Sequence, residues 1–113
     1  MSNDKKTSGI PAAEAVQTLE LVQYQAGAVV SRQLVKQDKG NVTLFAFDAG
    51  QELSEHTAPF DALVHIIDGE AEITISGKAI RARAGEMVLM PANQPHALKA
   101  TTRFKMVLTM IRA

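Results

Sequence analysis

GQELSEHTAPFDALVHIIDG, residues 50–69, begins and ends on glycine and carries two histidines, His56 and His65. Side chains alternate across an extended chain, so positions 56, 58, 62, 64 and 66 share one face, provided no bulge intervenes. His65 then belongs to the opposite face. It reads as a surface or interface histidine rather than a partner for His56.

The same short-strand pattern continues on both sides. The runs AVVSRQLVKQ, NVTLFAFDA, ALVHIID, EAEITIS, KAIRARA, EMVLMPA, HALKA and RFKMVLTMI are each about a strand long. Turn formers separate them: DKGN, DAGQ, DGE, SGK, AGE, PANQP and ATT. Asp68-Gly69 and Ser76-Gly77 are placed as hairpin turns, since glycine accepts the positive φ that such turns require. About eight short strands with no helical pattern between them predict an antiparallel all-β fold. So short a chain hides its apolar faces by closing into a barrel or a two-sheet jelly roll. Helix is expected only before Ala28, where IPAAEAVQTLELV reads as a short helix or an extended lead-in. Residues 1–9 read as a mobile N-terminal segment and 10–113 as a single domain.

Composition narrows the function. The 113 residues suit one core. Twelve basic and twelve acidic side chains leave no net charge, so nucleic acid is a poor partner. There is no cysteine, which removes disulfide and thiolate chemistry. The opening MSNDKKTSG lacks the apolar core of a secretory signal, and no apolar run is long enough to span a bilayer. The expectation is a cytoplasmic protein without membrane or nucleic-acid partners. No phosphate loop, nucleophile triad or spaced carboxylate pair is present.

The spacing of glycine, proline and histidine carries a resemblance. Gly50-QELSE-His56-T-Ala58-PFD-Ala62-LVHIID-Gly69 resembles the first signature of the cupin superfamily, and Gly85-EMVLM-Pro91-A-Asn93-QP-His96 resembles the second. The gap between them has the length typical of small bacterial members. The resemblance implies a cupin-type jelly-roll barrel with its site inside. In metal-binding members, two histidines and a glutamate of the first motif and a histidine of the second hold one divalent ion. Here Ala58 and Ala62 stand at the second histidine and the glutamate, and a methyl group has no lone pair to give. His56 and His96 are the candidate metal ligands that survive. They suit zinc, iron, nickel, manganese or copper only alongside further ligands. Glu52, which shares the parity of His56, and Gln94 in the PANQP turn are the available additions. The other reading is a pair of neutral imidazoles in a pocket that binds an organic molecule. Asn93 replaces a turn glycine, which asparagine tolerates.

The predicted pocket wall is Ala58, Ala62, Val64, Met90 and Met106. Met87, Met90, Met106 and Met110 read as core filling, as do Phe45, Phe47 and Phe60. Lys78, Arg81 and Arg83 read as a solvated basic edge. The leading expectation is a small-molecule-binding cupin barrel, with a divalent metal as an optional addition. The alternatives are a metal-dependent dioxygenase-like or isomerase-like enzyme and a stand-alone ligand-sensing module. A homodimer is expected, paired through the outer sheet and the strands around Val29 and Leu34.

Overall fold

A computed structural model describes residues 9–113. Of the mobile segment expected over residues 1–9, residues 1–8 lie outside the described residues. Gly9 is already tied down: its amide donates to the Gln33 carbonyl, and its carbonyl accepts from the Arg32 guanidinium.

The fold is all-β. Eight strands follow in order: β1 (Val29–Gln37), β2 (Gly40–Phe47), β3 (Glu52–His56), β4 (Phe60–Ile75), β5 (Lys78–Arg83), β6 (Met87–Met90), β7 (His96–Lys99) and β8 (Phe104–Arg112). All pairings are antiparallel. One sheet runs β1-β2-β8-β4-β6, and the other runs β3-β7-β4-β5. The two curl over each other as a jelly roll. Among the described residues the only helix is a single 3₁₀ turn, Thr18–Glu20, ahead of Ala28 as expected.

Two strands depart from the sequence expectation. Asp68-Gly69 is not a hairpin, and β4 runs straight through it for 16 residues. Its first half pairs with β6 and β8, and its second half pairs with β5 and β7. The register with β8 shifts between Ile66 and Asp68, so a bulge turns the strand from one sheet to the other. Gly69 serves this corner rather than a chain reversal. Its φ is +74°, and a Cβ there would collide with the Arg103 carbonyl, just ahead of β8. Ser76-Gly77 does form the expected two-residue hairpin, with φ +48° and +83° between the paired Ile75 and Lys78. The second departure is β3, formed by ELSEH, which lacks a strand-like apolar run and is held by pairing with β7.

The core fills the space between the sheets. Phe47 and Phe104 stack at 4.5 Å between ring centroids, with Ile66, Ile73 and Met106 fully buried in the same cluster. On the outer face of the first sheet, Leu21, Val22 and Tyr24 of the N-terminal segment pack on Leu44, Ala46, Val30 and Leu34. Polar ties hold that segment in place. Lys105 Nζ donates to the Leu19 carbonyl at 2.8 Å, and Tyr24 donates to Asp68 at 2.6 Å. Burial and the adjacent Asp68 carboxylate both push the Tyr24 phenol well above its ordinary pKa. His65 is half-buried on the outer face, opposite in parity to the buried Ala62, Val64 and Ile66.

Candidate functional site

His56 ends β3 and His96 begins β7, and the two are direct partners across the antiparallel ladder. Their rings meet edge to face, with centroids 4.4 Å apart and planes at 69°. The turn PANQP is what sets His96. The Asn93 amide donates to the Ala58 carbonyl at 2.8 Å. The Ala92 amide donates to the Asp61 carboxylate at 2.9 Å, and Ser76 Oγ donates to Gln94 at 3.2 Å. Asn93 takes φ +65°, the left-handed conformation expected of the residue at a glycine position.

The two imidazoles are wired alike. His56 Nδ1 lies 2.8 Å from the Ser54 carbonyl, and His96 Nδ1 lies 3.2 Å from the Gln94 carbonyl, each two residues earlier. A carbonyl oxygen can only accept, so each Nδ1 carries the proton and each neutral ring keeps Nε2 as a bare acceptor. His56 is exposed at the rim, whereas His96 is only 5% exposed. Burial holds the pKa of His96 below the ordinary histidine value, and His56 alongside adds to this. The bond to the Gln94 carbonyl opposes both. His96 is therefore neutral at pH 7.

This shift has a stability consequence of definite sign. The unfolded chain takes up a proton near pH 6.5 and the folded chain only at lower pH. The contribution of His96 is thus complete above about pH 6.5 and is lost as pH falls toward its folded pKa. Urea unfolding at pH 7.5 and pH 5 should show the acid loss, and His96→Gln should reduce it. An unchanged pH dependence in that variant would contradict the assignment.

A cavity of about 220 Å³ opens beside the histidines. Of the predicted pocket residues, Ala58, Ala62, Met90 and Met106 line it. Val64 does not: it is fully buried further along β4, packed in the solid part of the core. Leu53, Phe60, Leu98, Leu108 and Met110 line it as well and were not predicted for it. Most were within reach of the alternation rule, since 98 follows 96, 108 and 110 follow 106, and 60 precedes 62. Leu53 was not, because the β3–β7 register shifts between Leu53 and His56. The same irregularity undoes the Glu52 expectation: the residue of odd parity faces the cavity, while Glu52 is exposed opposite Lys99. Met87 is corrected too, being 55% exposed rather than core. The basic edge is solvated, with Arg81 paired to Glu70 at 2.7 Å.

The donor set does not fit the divalent ion that the resemblance implies. A catalytic zinc site keeps three protein ligands and a structural one keeps four. Among the described residues no group of three or more His, Cys, Asp or Glu could hold an ion. Ala58 and Ala62 place methyl groups on the wall where the resemblance puts the other two ligands.

Comparison with known proteins agrees with the architecture. The cupin domain family model matches residues 43–112. A conserved protein of unknown function from Streptococcus pyogenes superposes with a TM-score of 0.89 at 36% identity, over 94% of this chain and 93% of that one. A cupin 2 conserved barrel domain protein from Leptotrichia buccalis gives 0.81 at 40% identity, over 83% of this chain. The match spans only 46% of that longer protein. A cupin superfamily protein from Desulfitobacterium hafniense gives 0.87 at 27% identity, over 94% and 97%. No curated protein matches the chain. With the family model covering more than half its length and the barrel built as the two motifs imply, the chain belongs to the cupin family.

Proposed function

We propose that this cupin barrel binds a small, largely apolar organic molecule, with His56 and His96 as the polar end of its site. One observation carries the reading: the cavity wall is apolar except for the two imidazoles. Binding sites of this kind combine a hydrophobic lining with a few placed polar groups. The volume of about 220 Å³ suits a single ring or a short branched chain rather than a drug-sized ligand.

A metal-dependent cupin enzyme is the second reading, favoured by the two bare Nε2 atoms. Histidines that bind metals commonly give their other N–H to a carbonyl, as both do here. Elemental analysis of protein purified without a histidine tag separates the two. Well under one divalent ion per chain is expected. One ion per chain, lost in His56→Ala and His96→Ala, would replace the organic-ligand reading.

The homodimer belongs to the same proposal. Val35, Val42, Thr109, Leu63 and Leu89 lie opposite one another across β1, β2, β8, β4 and β6. Leu89 and the nearby Met87 are each 55% exposed, and Ile111 is 60% exposed. The surface around Leu34 is covered by the chain's own N-terminal segment, so this open end of the outer sheet is the better contact. Light scattering should give twice the chain mass at micromolar concentration, and a monomer mass would remove the dimer.

A further inference from the structure

We infer that the site selects ligands whose polar group donates a hydrogen bond, such as a phenol, over isosteres that only accept. The inference rests on the small-molecule reading above and adds a chemical class to it. Each Nδ1 is committed to a backbone carbonyl, so in the neutral pair only the two Nε2 lone pairs remain for a guest. The rest of the lining is alanine, leucine, methionine and phenylalanine, with no hydroxyl, amide, ammonium or guanidinium to donate. A carbonyl or ether oxygen entering this cavity leaves its water partners and finds no donor in exchange. A phenol hydroxyl finds an acceptor, and its ring occupies the apolar wall formed by Met90, Met106 and Met110. The two rings lie 4.4 Å apart between centroids, so the two acceptors belong to adjacent side chains of one site.

Phenol, anisole and toluene test this, because they share a ring and differ in the donor. Calorimetric titration of the full chain is expected to show phenol binding about tenfold more tightly than anisole, the effect of one hydrogen bond. The bare Nε2 resonances of ¹⁵N-labelled histidine should move with phenol and not with toluene. In His96→Ala the preference should fall towards unity. His56→Ala, at the exposed rim, provides a second variant if the first does not fold. Equal affinity for phenol and anisole would overturn the donor selectivity and leave the small-molecule reading standing. No saturable binding of any of the three would overturn both.

Discussion

Gly69→Ala is expected to destabilise the protein by roughly 2–5 kcal/mol, combining the left-handed backbone with a steric clash inside a packed sheet. The glycine sits at φ +74° where β4 passes from one sheet to the other. A methyl group there meets backbone atoms of Arg103 and Phe104, which cannot rotate aside as a side chain would. Gly77→Ala is the control. It has a similar φ of +83°, but a methyl there has nothing within 4 Å. It should lose only about 1–2 kcal/mol. Urea unfolding of the two variants measures the difference. Equal losses would show that the Gly69 corner tolerates a side chain.

The same glycine shows where local sequence ran out. Asp68-Gly69 has the composition of a hairpin turn, and so does Ser76-Gly77. Only the second reverses the chain. What separates them is the Arg103–Phe104 backbone at the start of β8, which closes on Gly69 from more than 30 residues away. A dipeptide cannot report a neighbour at that distance. The architecture was legible nonetheless, because alternation and turn spacing act along the whole chain. The motif spacing pointed to His56, His96, Ala58 and Ala62, and these lie around one cavity together with Met90 and Met106. The full cavity wall was not. Counting by twos from His56 fails at the β3 irregularity, which brings Leu53 inward and leaves Glu52 in solvent.

Ala62→Phe should abolish ligand binding while leaving the barrel folded. Ala62 is 3% exposed and lies on β4 opposite both Met90 and Met110, the two side chains that flank it in the cavity wall. A benzyl group there occupies the space that the two alanines leave open beside the histidines. Overpacking of this kind costs about 1–3 kcal/mol, less here if the cavity accepts the ring. An affinity loss of at least a hundredfold, or about 2.7 kcal/mol, is expected in calorimetric titration with phenol or toluene. Binding within threefold of the parent would place the ligand elsewhere.

The proposed function requires the space beside His56 and His96 to be a binding cavity. The methionines report on it directly, since Met90, Met106 and Met110 line the cavity while Met87 is exposed outside it. A titration of ¹³C-methyl-methionine-labelled protein with toluene and phenol, followed by NMR, reads all four positions at once. Saturable shifts at Met90, Met106 and Met110 with Met87 unmoved are the predicted result. Shifts confined to Met87, or none at the three lining methyls at millimolar ligand, would contradict the account.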